Sequence, residues 1–185
     1  VFYQIIFETL SCDVTFAISI HIPDMTIRVA TEDDITAIRK LAHDIWWPTY
    51  QSIVSPEQIS FMLDTMYSKP ALETQLQRET FLIAERNLEP VAFASFSRFD
   101  TEKHIFKLHK IYILPSEQGN GIGRRLISAI EEEARKEKGE TLELNVNRKN
   151  PAFHFYKKQG FEVYQEVDIR YYDYYMNDYV MRKNL

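Results

Sequence analysis

Residues 108–125, LHKIYILPSEQGNGIGRR, decide how this 185-residue chain is read. An apolar, β-rich run ends at Pro115. A glycine-rich turn follows, Gln118-Gly119-Asn120-Gly121-Ile122-Gly123, and an amphipathic helix starts inside it. A strand, a glycine turn and a helix N-terminus together form a phosphate cradle. The N–H groups of a first helical turn have no intrahelical acceptor, the helix dipole adds partial positive charge, and glycines let a ligand approach the main chain. Arg124 and Arg125 place two full charges on the same turn. The pattern predicts a phosphorylated ligand.

Two familiar phosphate loops do not match. A P-loop ends in Lys followed by Ser or Thr, and no such pair follows these glycines. The dinucleotide fingerprint spaces its glycines G-x-G-x-x-G, whereas Gly119, Gly121 and Gly123 alternate. Glu140 and Glu143 stand where a ribose-binding acid belongs, but too little chain follows for the further βα units a dinucleotide fold needs.

Gln118-x-x-Gly121-x-Gly123 resembles the pyrophosphate loop Q/R-x-x-G-x-G/A of the GNAT N-acetyltransferases, which bind acetyl-CoA. Downstream, Asn150-Pro151-Ala152-Phe153-His154-Phe155-Tyr156-Lys157-Lys158-Gln159-Gly160-Phe161 looks like that family's N-x-x-A-x-x-F-Y-x-x-x-G-F segment, with Ala152 one place early. The resemblance runs from about Met25 to the C-terminus. It implies an α/β (α+β) fold, a single domain with a mixed, mostly antiparallel sheet flanked by helices. Acetyl-CoA would lie where the strand at 104–114 splays from the strand at 141–146.

The same resemblance implies site roles. The main chain of Ile111, Tyr112 and Ile113 would pair with the pantetheine arm. Gln118, Gly119, Asn120, Gly121, Ile122, Gly123 and Arg124 would hold the pyrophosphate, and Asn150 would contact the arm. Tyr156 would protonate or hydrogen-bond the CoA sulfur. A short, positioned contact is needed, because a phenol near pKa 10 donates poorly to a thiolate near 8.5. Many members carry a Glu as base on the strand before the loop. Here the comparable positions hold Lys107 and His109, and His109 is the candidate base, with Glu85 a weaker one. Asn150 also reads as a plain helix cap before Pro151, Tyr156 as a core tyrosine, and His109 as a solvated strand histidine.

Composition sets bounds. Hydrophobic residues are 45% and charged residues 26%, ordinary for a globular domain with a real core. A net charge of −5 argues against non-specific nucleic-acid binding and is compatible with a cationic small substrate. No apolar run reaches membrane-spanning length. The single Cys12 leaves no intramolecular disulfide and suits a reducing, cytoplasmic compartment. No metal-ligand set and no covalent intermediate are expected. Residues 1–24 alternate apolar and polar after Val14. They read either as an upstream extension or as an added edge hairpin or dimer-forming strand, with the N-acetyltransferase domain at 25–185 and a homodimer as one outcome.

Along the chain, a strand at 26–30 leads to a helix capped by Thr31 and closed by Trp46-Trp47-Pro48. Ser55-Pro56 starts a second helix, and Leu72, Gln75 and Leu76 mark a third. Strands at 80–85 and 91–99 form a hairpin. Ile122, Leu126, Ile127, Ile130 and Ala134 stripe the helix after the loop, with Glu131–Arg135 and Glu132–Lys136 pairs on its wet face and Gly139 as its stop. A helix at 151–159 and two strands end the chain.

Substrate recognition is expected from residues 31–60, including Trp46, Trp47 and Tyr50, and from Asp168–Asp178, where acids alternate with tyrosines suited to an amine. The order of elements looks most like the bacterial spermidine/spermine acetyltransferases. The resulting expectation is acetyl transfer to a primary amine of a small molecule by direct attack. The competing readings are a protein or peptide N-acetyltransferase, a non-catalytic acyl-CoA sensor and a nucleotide-dependent enzyme.

Overall fold

The structure is a computed structural model that describes residues 25–185; the expectation for residues 1–24 lies outside the described residues. Seven strands form one sheet: β1 (Met25–Val29), β2 (Thr80–Arg86), β3 (Glu89–Asp100), β4 (Ile105–Ile113), β5 (Thr141–Asn147), β6 (Glu162–Tyr171) and β7 (Tyr174–Asn184). Their order is β1-β2-β3-β4-β5-β7-β6, and every neighbouring pair is antiparallel except β4 with β5. This is the mixed, mostly antiparallel sheet expected from the sequence.

Alternation along the strands sends side chains to two cores. One packs α4 (Ile122–Lys136) and α5 (Ala152–Lys158) on Phe106, Leu108, Leu142, Leu144 and Met181. The other packs α1 (Ile35–Tyr50), α2 (Pro56–Met66) and α3 (Lys69–Leu76) on Phe81, Ile83 and Phe93. Leu114, just past β4, touches both.

The parallel β4–β5 ladder is what positions the site. It pairs Ile105–Leu108 with Thr141–Leu144 and then stops. From His109 onward β4 pairs only with β3, and from Asn145 onward β5 pairs only with β7. A bulge in β4 accompanies the parting: Ser95 opposes Lys110 while Phe96 opposes Leu108, leaving His109 as the extra residue.

Local chemistry departs from the sequence expectation in three places, while the expected β2–β3 hairpin forms. Helix α1 runs through Pro48 to Tyr50 instead of ending at it. Proline forfeits one hydrogen bond, but the Thr49 hydroxyl bonds the Ile45 carbonyl (2.7 Å), and Trp46 packs on Tyr50 (ring centroids 4.6 Å apart). The left-handed residue that ends α4 is Lys138, φ 62°. Gly139 is needed for space, since a Cβ there would lie 2.7 Å from the Phe106 ring. Glu131 keeps its expected Arg135 pair (3.4 Å) but is buried and also bonded to Lys183 of β7 at 2.5 Å, and Lys136 pairs with Glu133 instead of Glu132. The β2–β3 hairpin closes on Asn87 and Leu88, both left-handed, as a tight two-residue turn requires.

Asp34 joins α1 to the sheet. Its carboxylate takes two bonds from the Arg28 guanidinium (2.8 and 2.7 Å) and one from the Thr31 N–H (2.8 Å). Hydrogen bonding to Arg28 holds its pKa down at about 2. A depressed acid stabilises the fold above its unfolded pKa, near 3.9, and loses that contribution as pH falls through the folded value. Asp34→Asn should therefore cost about 1–2 kcal/mol at pH 7, allowing for the solvent exposure of Arg28, and only a small part of that at pH 2, where the native carboxyl is about half protonated. Urea denaturation at the two pH values reads the difference.

Candidate active site

The glycine turn delivers the cradle expected of it. Gly119 (φ 83°) and Gly121 (φ 77°) are left-handed, and a Cβ on either would meet nothing within 4 Å. The loop is therefore open on the side where it turns. Gly123 differs: a Cβ there would strike Phe155 at 2.9 Å and Ile113 at 3.1 Å, so this glycine lets α4 close onto β4 and α5.

The N–H groups of residues 119–124 meet no carbonyl or side-chain acceptor among the described residues; the first helical bond is Arg125 N–H to the Gly121 carbonyl. Six N–H groups at an open helix N-terminus fit a pyrophosphate. Gln118 folds back to the Ile113 carbonyl (3.3 Å), and Asn120 reaches Glu117 (3.4 Å), itself paired with Arg86 (2.9 Å). The two brace the loop. Arg124 is exposed, whereas Arg125 turns to the Met25 carbonyl (3.2 Å).

The cradle sits at one end of the gap between β4 and β5. Ile111, Tyr112 and Ile113 have no strand partner on the β5 side, so main-chain groups on that edge are available to an extended ligand. Their side chains are half-buried. Ile111 and Ile113 pack on the α4 core, and Tyr112 enters the α1 core against Phe93 (ring centroids 5.4 Å apart).

Around the gap stands a group of hydroxyls. Tyr50 at the end of α1 and Tyr112 bring their oxygens to 3.4 Å. Tyr156 on α5 is buried, its ring packed on Phe155 and Phe161, and its hydroxyl has no hydrogen-bond partner among the described residues. Burial pushes the phenols of Tyr156, Tyr50 and Tyr112 up, and Tyr50 adds to the rise at Tyr156. All three are therefore protonated donors at neutral pH.

Asn150 does two jobs: its Oδ1 caps α5 through the Ala152 N–H (2.9 Å), and its amide group approaches the Tyr50 hydroxyl. The cap role and a position on the gap coexist.

His109 lies at the bulge with Nε2 2.8 Å from the Ser97 hydroxyl of β3. Desolvation lowers its pKa, the Glu79 charge opposes, and Lys110 and Lys107 add to the lowering. Glu85 lies outside the gap, tied to Arg28 at 2.7 Å on β2. Trp46 belongs to the core, and its neighbour Tyr50 is the aromatic of that stretch that reaches the gap.

The tyrosine-rich hairpin of β6 and β7 also departs from expectation. Tyr171, Tyr172 and Tyr174 ring Phe61 of α2 at 5.2–6.3 Å, so they fasten the hairpin to that helix. Asp168 is occupied by Arg148 and by Asn177 (2.7 Å). Asp178, the last acid of the segment expected to recognise an amine, is buried on β7. A cleft of about 420 Å³ opens between Val54 and Gln58, Asn147 and Arg148, and Tyr175 and Asn177. Residues 31–60 and the last hairpin thus meet at one cavity. Among the described residues no helix is long and apolar enough to cross a membrane, and no three metal-ligating side chains gather.

Comparison with known proteins agrees with this geometry. Residues 39–161 match the acetyltransferase (GNAT) family. The chain is 28% identical over 151 residues to the L-amino acid N-acyltransferase of Escherichia coli, covering 75% of this chain and 80% of that one. It is 27% identical over 144 residues to the spermidine N(1)-acetyltransferase of Thermoplasma acidophilum, covering 74% and 88%. Among solved structures, the PaiA N-acetyltransferase of Thermoplasma acidophilum in complex with coenzyme A superposes with a TM-score of 0.75 at 26% identity, over 87% of this chain and 99% of the other. A strand pair that parts beside a glycine-turned helix, on a sheet of this order and with this sequence match, makes the chain a member of the GNAT acetyltransferase family.

Proposed function

We propose that the protein transfers the acetyl group of acetyl-CoA directly to a primary amine of a small molecule, held in the same ternary complex. The observation that carries this is the gap between β4 and β5. The open N–H cradle of residues 119–124 lies at one end of it, and the reading puts Tyr156 of α5, whose hydroxyl has no hydrogen-bond partner among the described residues, beside the thioester. In this arrangement the N–H groups and exposed Arg124 bind pyrophosphate, and the free edge of Ile111–Ile113 orients the pantetheine arm. An N–H on that edge faces the developing oxyanion, and Tyr156 supplies the proton for the leaving thiolate. His109 is one candidate base near the bulge. No nucleophilic side chain is asked to carry the acetyl group.

For the acceptor, a polyamine is the first reading. It is supported by the similarity to a spermidine acetyltransferase and by the buried carboxylate of Asp178 near the gap. A second reading, an α-amino acid, is favoured by the similarity to an L-amino acid N-acyltransferase and by Lys149 beside the 420 Å³ cleft, which suits a carboxylate. Turnover of spermidine and spermine against a set of amino acids decides between them: activity confined to the amino acids would remove the polyamine reading.

The cradle has its own test. Gly121→Ala puts a Cβ on a left-handed residue, a strain of about 1–2 kcal/mol that the loop relieves by moving. CoA affinity should fall roughly tenfold. Wild-type melting temperature should rise with CoA but not with NAD or ATP, and less so for the variant.

A further inference from the structure

We propose that Asp178 is the residue that receives the acceptor ammonium and takes its proton. The proposal rests on the acetyltransferase reading of the gap and deepens it. Asp178 is 8% exposed and lies on β7 opposite Asn147, at the far side of the gap from β4. Among the described residues no cation comes within ion-pair distance of it, unlike Glu143, Glu166 and Asp168 around it.

Its neighbours are arranged to leave the carboxylate available. The Asn145 Oδ1 is taken by the Lys107 ammonium at 2.7 Å, which turns the amide N–H₂ end of Asn145 toward Asp178. Lys107 is itself held at 2.9 Å by Glu143, and Arg148 by Glu166 and Asp168, so both cations act on Asp178 only at a distance. The Asp178 charge raises the Tyr50 pKa and Tyr50 in turn raises that of Tyr156, so Asp178 and Tyr156 both lie within electrostatic reach of Tyr50.

A buried carboxylate with spare acceptor capacity is costly unless a cation completes it, and a primary ammonium brings three donors. Burial raises the Asp178 pKa, with the Asn145 bond and the distant Lys107 and Arg148 charges opposing, and this improves it as a base. His109 is worse placed for the task. Its ring leans to Ser97, on the β3 side away from the gap, and its charged neighbours include Lys107 and Lys110, which repel an ammonium.

The protons balance. R–NH₃⁺ gives one proton to the Asp178 carboxylate, which returns it to solvent. The freed lone pair attacks the thioester carbon, forming C–N while C–S breaks and the electron pair leaves on sulfur. Tyr156 protonates that sulfur and recovers the second proton from the nitrogen, yielding amide and free thiol.

Asp178→Asn keeps shape and hydrogen bonding but removes charge and basicity. With wild type active on an amine, the variant should lose about 10²–10⁴-fold in kcat/KM. The deficit should shrink as pH rises and free amine becomes abundant, while CoA affinity and melting temperature stay near wild type. Asp178→Glu should restore part of the activity. Asn-variant activity within threefold of wild type would overturn the role, as would loss on His109→Gln with Asp178→Asn unaffected. A deficit independent of pH that Glu does not relieve would also overturn it and mark a structural role. If wild type acetylates no amine at any pH, the enzymatic reading itself fails, and the role of Asp178 falls with it.

Discussion

Tyr156→Phe should lower kcat by about 10²–10³-fold while leaving CoA affinity and stability near wild type. The geometry makes this a clean substitution. The ring is buried against Phe155 and Phe161, and phenylalanine keeps those contacts. The hydroxyl has no protein partner among the described residues, so its removal strands no buried group. What disappears is the donor beside the leaving sulfur, worth about 3–4 kcal/mol of transition-state stabilisation at the stated loss.

Because burial raises the phenol's pKa, a free phenolate is unfavourable. Proton donation must therefore be coupled to recovery of the amine proton, and a solvent isotope effect on kcat should accompany the wild-type reaction. Steady-state kinetics at saturating acetyl-CoA, with CoA affinity by calorimetry, check this. A loss that appears in CoA affinity and not in kcat would make Tyr156 a packing residue.

The second large effect is on stability. Glu143 on β5 is 4% exposed and holds two cations, Lys107 of β4 at 2.9 Å and Arg182 of β7 at 2.8 Å. It therefore ties the last paired stretch of the parallel ladder to its antiparallel neighbour, immediately before the gap opens. Glu143→Ala leaves both cations without their anion in a half-buried setting, although Lys107 keeps Asn145. Removing one partner of a buried ion pair costs about 3–5 kcal/mol, so a loss near 3 kcal/mol is expected. For a chain of this size that is a fall of about 10 °C in melting temperature. Glu143→Leu should fall less, because an apolar side chain recovers packing. Activity should drop too, since the Lys107–Asn145 contact that orients the gap loses its anchor.

The sequence carried the parts of this account that are local. Alternating glycines before an amphipathic helix mean an open helix N-terminus wherever the rest of the chain goes, because backbone conformation and helix ends follow from neighbouring residues. Hence residues 118–124 were readable, as were the Ser55–Pro56 helix start and most strand limits. Pro48 misled because packing of Trp46 on Tyr67 and Tyr112, supplied by other parts of the chain, outweighed one lost hydrogen bond. Glu131 keeps the expected Arg135 pair, but its burial was not legible because its second partner, Lys183, is supplied by a strand 52 residues away.

The acceptor side was the least legible. Tyr50 and Asp178 come together only through the β5–β7 register and the docking of α1, which no local pattern encodes. A signal did exist: Met176, Asp178 and Val180 share one parity on β7, which puts an acid on a face otherwise turned inward. The sequence names Asp178 only as the end of the Asp168–Asp178 segment, together with the tyrosines of the hairpin. Their composition suited an amine, while their positions serve Phe61.

The most direct test of the central claim follows thiol release and acetylated product together, for the purified chain with acetyl-CoA and a panel of polyamines, amino acids, aminoglycosides and peptide N-termini. Saturable turnover is expected on at least one small primary amine, with one acetylamide formed per CoA released and no acetylated protein intermediate. Binding of CoA with no acetylated product from any amine would contradict it and leave an acyl-CoA sensor in its place.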